Sequence, residues 1–265
     1  MTRRTLLVGL AVVALAALVL WLALRLLLPP AEDPTWARIV ETGVLPVCTD
    51  PSWPPFEYVD EGTGHIEGFD ADLARELARR LAPGVRAQLV TVGFDSLYDA
   101  LLAGRCDVVL SALPYEPARA EDVGYSLAYF NAGLVLVVRE GTDDIASLDD
   151  LAGRAVGVEW GFVPEGDSRQ RLFLLNLGLR RYDTPGDALR ALGSGEVEAA
   201  LVDRIAALAF VRECGGLQLV GQPLSEVSYV IPTRPDSFRL REEVDRVLIE
   251  MLEDGTLAAL QDKWF

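Results

Sequence analysis

Short apolar runs alternate with amphipathic helical patterns from Gly43 onward, and this alternation constrains the fold more than any other feature of the chain. "GVLPVC" reads as a strand and "FDADLARELARRLA" as a helix, with Leu73, Leu77 and Leu81 recurring on one face while the charged residues point away. Asp70 or Asp72 supplies negative charge to the first turn of that helix. "RAQLVTV" is a second strand, "FDSLYDALLAG" a helix stopped at Gly104, and "CDVVLSAL" a near-continuously apolar third strand. A β-α-β-α-β series of this kind predicts a parallel sheet covered by helices on both faces. A second series follows. "SLDDLAGRAVGVEWG" gives a capped turn and a strand, "TPGDALRALGSGEVEAALVD" a helix and a strand ending at Asp203, and "GLQLVG" another strand. Between the two series, "GLVLVVRE" (residues 133–140) is long enough to cross from one unit to the other rather than sit in one sheet. A pair of amphipathic helices closes the chain, so two α/β lobes are expected.

The first strand ends abruptly. "CTDPSWPPFEY" (residues 48–58) places Asp50, Trp53 and three prolines directly after it, and proline has no N–H for a ladder. A carboxylate and a large ring at a strand end suit a ligand site at the mouth of an α/β sheet; an ordinary strand exit accounts for the same residues. Composition narrows the chemistry further. With 24 Lys+Arg against 40 Asp+Glu the formal net charge is −16, which repels phosphate backbones and argues against a nucleic-acid partner. Lys263 is the only lysine, which argues against Schiff-base and P-loop chemistry. His65 and the cysteines Cys48, Cys106 and Cys214 have no metal-ligand spacing, so neither a metal nor another cofactor is expected.

Residues 1–30 form a separate segment. A basic "MTRR" leader precedes an uncharged apolar run from Leu6 to Leu24, close to the length of a membrane-spanning helix. Arg25 and Pro29-Pro30 follow, and no small-x-small cleavage site is evident. The basic end stays cytoplasmic by the positive-inside rule, which puts the remainder outside the membrane. An uncleaved N-terminal transmembrane anchor is expected; a cleaved signal peptide is the alternative.

The ordered pieces "WARIVETGVLPV", "TDPSWPPFE", "GFDADLARELA", "FDSLYDALLAGRCDVVLSAL", the R-A-x-x-V-G-Y-S run from Arg119, "SLDDLAGRAVGV", "ALRALGSGEVEAALVD" and "EDGTLAALQDKWF" resemble the polar amino-acid class of solute-binding proteins that serve ABC importers. The resemblance runs from about Trp36 to Phe265. It implies a type II periplasmic-binding fold: two α/β lobes with central sheets flanked by helices, closing on a ligand held between them. Lobe 1 is then residues 31–135 plus 228–265, lobe 2 is residues 136–227, and the crossings fall near residues 134–138 and 216–231.

Site residues carried over from the resemblance are Asp50 and Trp53 at the strand end, with Phe94 as a second ring on the opposite side. Ser111, Ala112 and Leu113 follow the third strand. Arg119 matches the arginine that clamps a ligand carboxylate, and Asp203 the acid that pairs with an α-ammonium group. Glu159, Gly161 and Phe162 belong to the corresponding turn of the second lobe. This chain departs from the pattern at Pro114, which has no N–H to donate, at Glu116 in place of a threonine, and at Phe162-Val163, where hydroxyls are usual. The carboxylate side of the pocket is thinned; with Glu116 and Glu159 facing the cleft the pocket prefers a cation, and with both in solvent it does not. Cys48 and Cys106 lie on neighbouring strands of this fold but in doubtful register, so free buried thiols are expected, with a disulfide in an oxidising compartment as the alternative and Cys214 left over.

The resulting expectation is a non-enzymatic, extracytoplasmic, monomeric binding protein. It takes a small amino-acid-like or cationic ligand to an ABC-transporter permease and attaches to the membrane by its N-terminal helix. A membrane-anchored sensor or accessory protein of the same fold is the alternative. An enzyme similar to cyclohexadienyl dehydratases, with Glu159 or Glu116 as general acid, is a third reading.

Overall fold

The parallel pairing that the alternating pattern predicts is realised twice in the computed structural model, which describes residues 33–160 and 177–265. The expected membrane segment, Gly161 and Phe162 lie outside the described residues. Among the described residues no helix is long and apolar enough to cross a membrane. Two five-stranded sheets are built from β1 (Val44–Thr49), β2 (Arg86–Thr91), β3 (Val108–Val109), β4 (Gly124–Tyr125), β5 (Leu134–Arg139), β6 (Ala155–Glu159), β7 (Gly178–Tyr182), β8 (Ala199–Asp203), β9 (Leu217–Val220) and β10 (Pro232–Thr233). The first sheet has the order β2-β1-β3-β10-β4 and the second β7-β6-β8-β5-β9. In each, three strands pair in parallel and the other two add antiparallel, so the sheets are mixed rather than wholly parallel. Together they make a two-lobed α/β fold.

Helices α1 (Pro34–Thr42), α2 (Phe69–Leu81), α3 (Leu97–Leu102), α4 (Pro185–Ser194), α5 (Arg204–Cys214), α6 (Phe238–Glu253) and α7 (Thr256–Trp264) flank the sheets. Leu73, Leu77 and Leu81 of α2 enter the first core, as their spacing predicts. Residues of α6 and α7, among them Leu240, Val244, Met251 and Leu257, join the same core. Asp33 ties α1 to α6, accepting from the N–H groups of Trp36 in α1 and of Arg239 and Leu240 in α6. One carboxylate therefore serves the unpaired amides at two helix starts.

The run Leu134–Arg139 does not cross between the lobes. All six residues lie inside the second sheet, between β8 and β9, because a strand with five successive apolar residues is most stable with both edges paired. The chain passes between sheets beside it, where Phe130–Asn131 pairs antiparallel with Ser228–Tyr229. Gly133 is required at this point: a Cβ there would lie 1.9 Å from the Ser225 carbonyl oxygen. The third strand is also shorter than its apolar run suggests. It leaves the ladder after Val109, and Ala112 turns into the left-handed region at φ 44°.

Cys48 and Cys106 form a disulfide, with Cα atoms 5.6 Å apart, contrary to the free thiols expected. Register is not the relevant criterion. Cys106 precedes β3, so the bridge closes over one face of the sheet, inside an apolar cluster with Tyr98, Leu101 and Val109. Cys214 is free and exposed.

Candidate functional site

Parallel strands end together at one edge of a sheet, and the loops beyond them have no ladder to complete. Asp50 follows β1 at that edge of the first sheet. Its N–H donates to Ser111 Oγ (2.9 Å), and its Oδ2 accepts from the Phe94 N–H (2.8 Å). One residue thereby fixes three loops around a common hollow.

Trp53 sits on a short strand, Ser52–Trp53, which pairs with Glu57–Val59 beyond the two prolines. Phe94 opens the single turn before α3. Trp53 is 55% exposed and Phe94 47%, values foreign to core rings of this size. Both line a cavity of about 390 Å³, together with Asp50, Ser111 and Ala112. Five of the residues singled out in the sequence thus meet around one hollow. Its volume lies in the range of small-molecule sites.

Four other lining residues, Ser52, Glu57, Val227 and Tyr229, were not anticipated as site residues; Pro114, noted for its missing donor, also lines the wall. Glu57 carried a legible signal, an acid inside the apolar-aromatic run "PFEYV". Val227 and Tyr229 had none, because they come from the returning crossing segment, more than a hundred residues away in the chain. Burial pushes the Tyr229 phenol up to about 12, helped by the charges of Asp70, Asp203 and Glu57.

The remaining candidates among the described residues stand apart from this cavity. Leu113 is buried in the cluster around the disulfide. Arg119 holds its guanidinium 5.1 Å from the centre of the Tyr98 ring, with long ion pairs of 4.0 Å to Glu116 and 3.9 Å to Asp122. Glu159 is exposed at the end of β6, next to Trp160, whose ring lies under Arg181 at 5.9 Å. Asp203 ends β8 and caps α5 through the Ala206 N–H (2.8 Å), while its charge reaches Tyr229 on the cavity wall. Asp70 and Asp72 divide the work expected of either. Asp72 is bound by Lys263, Trp264 and Arg75 at the surface, whereas Asp70 is buried and accepts from the Ala112 N–H and the Tyr129 hydroxyl.

No group of three or more His, Cys, Asp or Glu among the described residues is arranged to hold a metal ion. The hollow offers ring faces, the Asp50 carboxylate and polar hydroxyls, which suits binding of a polar or cationic small molecule. Residues 45–265 match the family model described as bacterial extracellular solute-binding proteins, family 3.

The chain belongs to that family.

Among its relatives, the L-cystine-binding protein TcyJ of Escherichia coli is 31% identical over 237 residues, covering 89% of this chain and 87% of that protein. The arginine-binding extracellular protein ArtP of Bacillus subtilis is 30% identical over 220 residues, covering 82% of this chain and 84% of that protein. Among solved structures, an ancestral cyclohexadienyl dehydratase superposes with a TM-score of 0.78 at 26% identity, covering 89% of this chain and 98% of that one. As a family 3 solute-binding protein the chain is extracytoplasmic, and its mixed α/β lobes follow the periplasmic-binding architecture.

Proposed function

We propose that this chain is the ligand-capturing component of an ABC importer, taking an amino acid or a related zwitterion or cation and releasing it unchanged. The observation that carries this reading is the hollow at the strand ends of the first sheet, flanked by the exposed rings of Trp53 and Phe94. Two ring faces suit an apolar or cationic side chain, the latter gaining cation–π attraction. L-cystine and arginine, for which two relatives are named, are both zwitterions.

In this reading one lobe is residues 31–133 plus 228–265 and the other is residues 134–227, which takes in the whole strand Leu134–Arg139, and they close over the ligand. Asp203 then meets the α-ammonium group. Arg119, held now by long ion pairs and the face of the Tyr98 ring, swings onto the carboxylate, and Glu159 joins from the second lobe. The apolar run Leu6–Leu24 holds the protein at the outer surface of the cytoplasmic membrane, and the protein acts as a monomer beside its permease.

The test is a thermal-shift panel of amino acids, polyamines, opines and dicarboxylates on the purified chain after bound ligand is removed by partial unfolding. A ligand of micromolar affinity at about a hundredfold excess adds about 2.7 kcal/mol of stability. Silence across the panel overturns the amino-acid reading. The likeness to a dehydratase favours one second reading, chemistry in the same cleft. Recovery of the ligand unaltered after prolonged incubation counts against it, and loss of water and carbon dioxide from a cyclohexadienyl acid establishes it.

A further inference from the structure

Beneath the hollow two carboxyl groups are buried against each other. Glu57 and Asp70 are each 1% exposed. Gly68 brings them together. At φ 129° it lets the start of α2 approach so closely that a Cβ would lie 2.2 Å from the Phe56 carbonyl oxygen. The Asp70 N–H then bonds that oxygen at 2.8 Å, one residue from Glu57.

The outer oxygens of the pair are fully used. Glu57 Oε1 accepts from the Ser111 hydroxyl (2.8 Å), which itself accepts from the Asp50 N–H (2.9 Å). Asp70 Oδ2 accepts from the Ala112 N–H (2.6 Å) and the Tyr129 hydroxyl (2.9 Å). The inner oxygens, Glu57 Oε2 and Asp70 Oδ1, are buried and meet no donor among the described residues. The two carboxyls face one another. Two bare carboxylates cannot sit side by side in such a place, because neither water nor a counter-charge offsets their repulsion. A single proton between the inner oxygens removes the repulsion and supplies the missing donor.

We infer that Glu57 and Asp70 share one proton, and that this pair is the positioning device that holds the Ser111–Ala112 wall of the ligand site. Glu57 is the neutral partner, donating through Oε2. Asp70 is the charged partner, accepting from Glu57, Ala112 and Tyr129. Ala112 is the residue that needs holding: among the described residues it is the only non-glycine with positive φ, a conformation that a Cβ disfavours. Through Ser111 the same network reaches Asp50, and through Asp50 the ring of Phe94.

The surroundings favour a retained proton. Burial raises both carboxyls, and Glu57 reaches about 10, with the charge of Asp70 as the next cause. From β1 the pair faces Asp50, and from the crossing segments it faces Tyr129 and Tyr229, whose phenols burial holds neutral at ordinary pH. The nearby cations are committed elsewhere. Lys263 of α7 bonds Asp72, and Arg204 of α5 bonds the Asn131 carbonyl and Gln261. No arginine or lysine among the described residues is ion-paired with Glu57 or Asp70.

The ligand arm of the test rests on the function proposed above; the spectroscopic arm does not. Infrared spectra of the full chain at pH 8 should contain the band of a neutral carboxylic acid. That band should move when the protein is made with isotope-labelled glutamate, vanish in Glu57→Gln and fade as pH rises through about 10. Glu57→Gln keeps a donor for Asp70 and an acceptor for Ser111, but it cannot titrate. With L-arginine as probe, the wild-type dissociation constant should rise by up to tenfold per pH unit above the midpoint of the band, relative to Glu57→Gln. Comparison with the variant cancels the titration of arginine itself. Absence of a glutamate-assigned band at pH 8 overturns the inference, whether or not the variant folds. Parallel affinity profiles for wild type and Glu57→Gln overturn the positioning role. If arginine binds neither protein, the ligand reading fails while the band still decides the shared proton.

Discussion

Replacing both bridged cysteines, Cys48→Ala with Cys106→Ala, tests the first lobe most directly. The bridge spans 58 positions of sequence. Closing a loop of that length in the unfolded chain removes entropy worth about 4 kcal/mol at 25 °C. The two sulfur positions are 0% and 1% exposed, so packing lost with the sulfur atoms adds to this figure rather than offsetting it. Cys48 lies in the first sheet and Cys106 leads into its third strand, so the loss should fall on the lobe built around that sheet. Equilibrium urea unfolding, followed by tryptophan fluorescence, is the assay. With a slope of about 2 kcal/mol per molar urea for a lobe of this size, the first-lobe midpoint should drop by roughly 2 M. Reduction of the wild type under denaturing conditions should reproduce the same curve. Thiol titration of the unfolded, unreduced wild type should find Cys214 alone. A midpoint shift below about 0.5 M, a quarter of the entropic figure, would refute the reasoning.

Three further outcomes are expected. Trp53→Ala and Phe94→Ala should each weaken ligand binding by about tenfold, or about 1.4 kcal/mol, in calorimetric titration. Their half-exposed rings should leave urea stability within about 1 kcal/mol of wild type, whereas core rings would lose about 3 or more. Asp107→Asn should destabilise the first lobe by about 3 kcal/mol in urea unfolding, because this buried carboxylate pairs with both Arg38 and Arg234. Finally, because Glu57 has a folded pKa of about 10 against an ordinary 4.5, the folded state holds a proton that the unfolded state releases. Stability should therefore fall as pH rises between those values, by up to about 1.4 kcal/mol per unit. Unfolding curves at pH 6 and 9 should converge in Glu57→Gln; an unchanged pH slope in that variant contradicts the assignment.

Features carried by local pattern were legible in the chain. Leucines at helical spacing put α2 on its sheet, "SLDDL" capped its turn through Ser147 and Asp150, and Pro and Gly ended the elements they flank. The end of β1 just before Asp50 followed from residues that a buried ladder cannot absorb, whereas Phe94 as the ring opposite Trp53 came only from the family resemblance. The other readings rest on interactions within a few residues, or on the rule that parallel strands open at one end.

What depended on tertiary structure was every contact whose partners are far apart in sequence. The apolar run at Leu134 reads equally well as a crossing or a central strand, and only its two neighbours make it the latter. Cys48 and Cys106 looked out of register as ladder partners, yet they meet over the face of the sheet because the chain ahead of β3 lies across it. Asp70 and Asp72 are equivalent as helix-start charges. The turn of α2 alone sends one into the core, against Glu57 and Ala112, and the other to Lys263. A side chain's type and spacing determine which element it joins. Its chemistry is decided by what the rest of the fold packs against it, because burial and neighbouring charge are properties of the assembled structure.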